Sequence, residues 1–173
     1  MKRIIVAVLL LFVVAGVLVL LFLPREAGHG MTPERVEVVT VEAGALRLSS
    51  AYLRATPPGA PVAGGFLTVT NTGAMDDALV AVSAAFSGRG EVHEMQVGND
   101  GVMRMRPLPE GLALPAGEVV ALQPGGFHLM FHDLTGPLEA GTTAAVTLTF
   151  REAGEVILDM PVKAANAAEG HGH

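Results

Sequence analysis

The chain has 173 residues, no cysteine, eleven basic and seventeen acidic side chains, and is 50% hydrophobic. That length suits one domain with extensions. The missing thiol excludes a disulfide framework, a thiolate-ligated copper electron carrier and a thioether-linked lipid within this sequence. An acidic balance with no basic cluster argues against nucleic acid or anionic lipid as partners.

Lys2 and Arg3 precede an apolar run from Ile4 to Leu23. As a helix that run spans roughly 30 Å, the thickness of a bilayer's hydrocarbon core. A cleavable signal peptide has a shorter apolar region and ends in a small-x-small site, whereas Leu23-Pro24-Arg25-Glu26 follows here directly. Residues 1–24 are therefore expected to be a signal anchor in the inner membrane, with a cleaved signal peptide as the rival. The basic residues at the start put the remainder in the periplasm or an equivalent extracytoplasmic space. Without Lys2 and Arg3, nine basic residues face seventeen acidic ones, so the exported part carries −8.

Residues 25–34 read as a linker, and His29 and Met31 belong to it. From Arg35 to Val162 the pattern is β. Short β-branched or alternating runs cover Val36–Val41, Leu46–Ser50, Gly65–Thr70, Leu79–Ser83, Glu91–Val97, Val102–Met105, Val119–Gln123, Phe127–His132, Thr143–Phe150 and Glu155–Val162. Gly, Pro and Asn clusters separate them, and Thr56–Pro61 with its three prolines must be a loop. Such spacing without helical periodicity predicts an all-β antiparallel sandwich over residues 35–162. Asp76-Asp77 reads as a solvated carboxylate pair in a turn rather than acid–base machinery, and no serine sits in a nucleophile context, so no enzyme is indicated. Residues 163–173 read as a flexible tail ending in His171 and His173, with a weak Cu(II) site there as its functional reading.

Between Glu91 and His132 metal-capable side chains recur at spacing i, i+2: His93 and Met95, Met103 and Met105, His128 and Met130, with His132 extending the last. In a strand, residues two apart share a face. Phe127, Leu129 and Phe131 make one face of their strand apolar. The other face carries His128, Met130 and His132, where a soluble sheet ordinarily places Ser, Thr or Lys. Around Met105 the phase also fits a half-buried strand with Met inward and Arg outward. Imidazole plus thioether without thiolate is a soft set that suits Cu(I). A zinc site from His93, His128 and His132 would leave the methionines unexplained. The hairpin centred on Asn99-Asp100 is expected to bring His93 opposite Met105.

The stretches Arg54–Pro61, Gly65–Gly73, Val92-His93-Glu94-Met95, Gly101–Pro107, Leu114–Gly117 and Gln123–Met130 together resemble the periplasmic copper chaperone family called PCuAC. The resemblance implies a cupredoxin-like Greek-key sandwich. It implies Cu(I) bound by residues matching His93, Met105, His128 and Met130, with Met95, Met103 and His132 as additional candidates. Because the hairpin and the loop before His128 look one residue longer than the family motif, Met103 and Met105 both stay open as the third ligand. The implied function is delivery of copper toward the CuA-bearing subunit of cytochrome c oxidase, alone or with a Sco-type copper protein. A copper storage or resistance protein with the same site and a non-metal β-sandwich interaction module are the competing readings.

Overall fold

The computed structural model describes residues 40–98 and 100–165. The apolar run Ile4–Leu23, the linker, Asn99 and the tail histidines lie outside the described residues. Eleven strands follow in chain order: β1 (Val41–Ala43), β2 (Leu46–Arg54), β3 (Val62–Asn71), β4 (Asp77–Ala84), β5 (Ser87–Val97), β6 (Met103–Pro107), β7 (Leu112–Leu114), β8 (Val119–Leu122), β9 (Phe127–Leu134), β10 (Thr143–Phe150) and β11 (Gly154–Lys163). Among the described residues there is no helix. The chain is all-β, as its turn spacing predicts. β7 is the one strand with no counterpart in the sequence reading, because three residues are too few to show a period.

Pairing runs in the order β6-β5-β9-β8-β3-β2-β11-β10-β4-β7, with β1 added beside β2. β4, β7, β10 and β11 make one layer, and the remaining strands make the other. β11 joins them. It pairs antiparallel with β10 from Gly154 to Pro161, while Val162 and Lys163 run parallel to Leu53 and Arg54 of β2. A second parallel contact links Leu122 of β8 to Phe127 of β9. The sandwich is therefore mixed at these two places rather than wholly antiparallel. The β11–β2 contact joins the two ends of the domain sequence and leaves no local signature.

Alternation builds the core. On β10 every second residue from Val146 to Phe150 is buried, and on β11 Leu158, Met160 and Val162 are buried between exposed neighbours. They join Leu48, Leu53, Leu67, Val69, Leu79, Leu129 and Phe131 in one apolar cluster drawn from both layers. Asp77 corrects the reading of a solvated pair. It is buried and accepts backbone N–H groups from Ala78, Glu152 and Ala153, which ties the β10–β11 turn to the start of β4. A buried carboxylate is tolerated when its oxygens are satisfied in this way.

β9 is flanked on both sides. β5 lies along one edge of it and the first half of β3 along the other. β5 also passes so close to β4 that a Cβ on Gly90 would strike the Val82 carbonyl oxygen. Gly136 has open space around it. Gly90→Ala should therefore lower stability by about 1–3 kcal/mol, and Gly136→Ala should stay within about 0.5 kcal/mol of the parent. Urea unfolding midpoints at unchanged slope check both.

Candidate metal centre

The register of β5 against β9 sets the site. His93 lies directly opposite His128, Glu91 opposite Met130, and Arg89 opposite His132. Directly opposed residues project to the same side. The alternate residues Leu129 and Phe131 are fully buried in the core, so His128, Met130 and His132 occupy the reverse face, as the sequence predicts. His93 and His128 are each only 7% exposed, and their rings lie 5.8 Å apart between centroids.

The β5–β6 hairpin differs from expectation. Met95, not His93, is opposite Met105, and His93 is opposite Pro107. The reason is the turn. Val97 and Met103 are the last pair, and Gly98 N–H donates to the Val102 carbonyl, which encloses a five-residue loop centred on Asp100. Asp100 stabilises the loop by accepting from Val102 N–H and from both terminal nitrogens of Arg104. Gly101 supplies the positive φ, at 75°. Centring the hairpin on Asn99-Asp100 misplaces this axis, so each partner shifts. Nor is β6 a half-buried strand with Met inward, since all five of its residues are exposed.

A cavity of about 360 Å³ opens on this face. Met95, Met105, His128 and Met130 line it, with Arg54 and Phe66 in its wall. Met130 pairs with Gly64 of β3, which adds no side chain to compete for the space. The Arg54 guanidinium sits 5.5 Å from the Phe66 ring centroid, within cation–π range. Met103 pairs with Val97, is 56% exposed and does not border the cavity. Neither His93 nor His132 is in the cavity wall, and His132 stands beside Glu91 and His93.

The histidine nitrogens are sorted by their partners. His128 Nδ1 is 3.1 Å from the Gly126 carbonyl. A carbonyl can only accept, so Nδ1 carries the hydrogen and the Nε2 lone pair is free. Burial pushes the His128 pKa down, which the Gly126 hydrogen bond partly opposes. The neutral form that can ligate a metal is thereby favoured. His93 Nε2 is 2.9 Å from Glu91 Oε2, and an ionised carboxylate likewise only accepts. Its Nδ1 is buried without a hydrogen-bond partner. The hydrogen bond from His93 holds the Glu91 carboxyl below the usual carboxylate range, and Arg89 at 3.4 Å adds to the effect. Glu91 is not among the candidates that residue type alone suggests, although it lies two residues before His93 on the same strand face. The alternation that marks the histidines marks it too.

The β-sandwich has the fold of PCuAC domains. The apo PCuAC domain from PmoF1 is 28% identical, with a TM-score of 0.62 over 73% of this chain and 99% of that one. The copper-bound PCuAC domain from PmoF2 is 26% identical, with a TM-score of 0.62 over 73% and 98%. Apo-DR1885 from Deinococcus radiodurans, at 22% identity and a TM-score of 0.54 over 82% and 94%, shares the fold. A curated relative, "Putative lipoprotein Lxx21020" of Leifsonia xyli subsp. xyli (strain CTCB07), is 31% identical over 131 residues, covering 76% of this chain and 77% of its own. Residues 46–162 match the family described as "Putative lipoprotein LpqE-like", and the chain belongs to that family.

Nitrogen-15 NMR of the metal-free protein above neutral pH should show His128 as the Nδ1–H tautomer and His93 as the Nε2–H tautomer. The opposite assignment at either ring would contradict the hydrogen bonds to Gly126 and Glu91.

Proposed function

We propose that this chain is an extracytoplasmic copper chaperone whose cargo is one Cu(I), held by His93, Met105, His128 and Met130 with Met95 as a further thioether. The observation that carries the reading is the convergence of Met95, Met105, Met130 and His128 on one cavity in a chain with no thiolate. Thioethers are soft donors that select Cu(I), and neutral imidazoles complete the set without adding charge. Arg54 in the wall strengthens that preference, because a fixed positive charge repels a divalent ion more than a monovalent one. The orphaned His93 Nδ1 and the free His128 Nε2 are lone pairs available to an ion. Likeness to a copper-bound PCuAC domain supports the same reading.

The site suits exchange more than storage. Met105 is 43% exposed on the outermost strand of its layer, so an incoming ligand can displace that thioether first and leave the buried histidines until last. This favours a donor of copper over a resistance sink, which would enclose its metal. The acceptor in this reading is the CuA-bearing subunit of cytochrome c oxidase, alone or with a Sco-type copper protein. The apolar run Ile4–Leu23 holds the donor at the inner membrane; although the family is described as lipoproteins, this sequence has no cysteine to carry a lipid.

Competition against a chromogenic Cu(I) chelator under reducing conditions should give one Cu(I) per chain. Met105→Leu and Met130→Leu should weaken binding at least about tenfold, while Met103→Leu stays within about twofold. Equal affinity in the parent and both Met105→Leu and Met130→Leu would remove this ligand set. In a separate assay the loaded protein should pass Cu(I) to a CuA-type acceptor domain; tight binding with no transfer would favour the sink.

A further inference from the structure

We infer that Glu91, His93 and His132 form a second ion site beside the thioether cavity, one that takes a borderline divalent cation such as Zn²⁺ or Cu²⁺. The three donors converge. Glu91 Oε2 is 2.9 Å from His93 Nε2 and 3.1 Å from His132 Nε2, and one donor atom from each residue lies within 4.8 Å of the other two. A tetrahedral ion with bonds of about 2.0–2.1 Å needs its donors roughly 3.4 Å apart. Small side-chain movements therefore admit it.

Hydrogen bonding alone does not account for the cluster. One carboxylate oxygen has two imidazole nitrogens against it, yet only His93 makes a hydrogen bond there. His132 Nε2 is buried and has no hydrogen-bond partner despite its closeness to Glu91. An unsatisfied buried nitrogen costs about 1–3 kcal/mol. A metal ion bonded to His132, His93 and Glu91 would satisfy it. Arg89 lies 3.4 Å from the other carboxylate oxygen, Oε1, and so leaves Oε2 to the two rings. With side-chain exposures of 29% for Glu91 and 21% for His132, the cluster is reachable from solvent and can keep a water in the fourth position.

The donor chemistry separates this site from the first. A carboxylate with two imidazoles is a harder set than thioethers and follows the divalent order in which copper and zinc rank high. The first site is lined by the thioethers of Met95, Met105 and Met130, whereas the donors of the second are one carboxylate and two imidazoles, with Met130 directly across from Glu91. His93 stands between them. A neutral imidazole has one lone pair, so His93 serves one ion at a time.

The test is a calorimetric titration of the full chain with Zn²⁺ alone, in a background carrying His29→Ala, His171→Ala and His173→Ala. The three remaining histidines then all lie on β5 and β9. One Zn²⁺ per chain is expected. Glu91→Gln and His132→Asn should each weaken it at least about tenfold, while Met105→Leu and Met130→Leu keep it within about twofold. Unchanged circular dichroism and melting of the two site variants exclude unfolding as the cause. His132→Asn should also keep Cu(I) affinity within about twofold, so loss of Zn²⁺ binding is read independently of the copper reading. No Zn²⁺ binding by the background protein, or equal binding by Glu91→Gln and His132→Asn, overturns the inference.

Discussion

The site depends on one register, that of β5 against β9. Side chains alternate faces along a strand, so a slip of one residue in this pair would carry the whole His/Met row into the core and bring Leu129 and Phe131 out to water. Full burial of those two apolar side chains on one face is therefore what fixes the position of His128, Met130 and His132 on the other. The β3 contact on the far side of β9 reinforces the same register through Ala63 opposite Phe131 and Gly65 opposite Leu129. Core packing and site geometry are two readings of a single alignment.

Part of that alignment is legible in the residues themselves. The Phe127–His132 alternation is a local pattern with a strong hydrophobic contrast, so its two faces can be assigned from residue types alone. The strand from Met103 to Pro107 lacks such a contrast, since Met can be core or ligand and Arg can lie along either face. Its register rests on the turn, where pairing of Val97 with Met103 places Met105 opposite Met95, two residues from His93. The nearness of Glu91 to both His93 and His132 needs two strands side by side, as do the parallel contacts of β11 with β2 and β8 with β9. The burial of Asp77 likewise comes from a partner seventy-five residues away.

The two buried histidines show how the fold prepares neutral donors. Each ring has one nitrogen engaged by a fixed oxygen, Gly126 for His128 and Glu91 for His93. A ring oriented in this way presents its other nitrogen without having to reorganise when an ion arrives. The two oxygens differ in charge, however. A carbonyl dipole and a carboxylate beside neighbouring rings create unequal electrostatics over a distance of one strand pair, and Arg54 steepens the contrast. A single sheet face thus sets thioether donors and a carboxylate side by side.

β6 ends its layer, and no strand lies beyond it among the described residues. An unpaired edge is a template on which a second chain can add a strand and begin an aggregate. Here Arg104 and Arg106 alternate with Met103 and Met105, and both guanidiniums are anchored by acidic neighbours, Asp100 and Glu94. A copy adding itself antiparallel would bring like charges together along the row, and Pro107 lacks the N–H to continue the ladder. The strand that exposes its methionines is thereby a poor seed for fibrils.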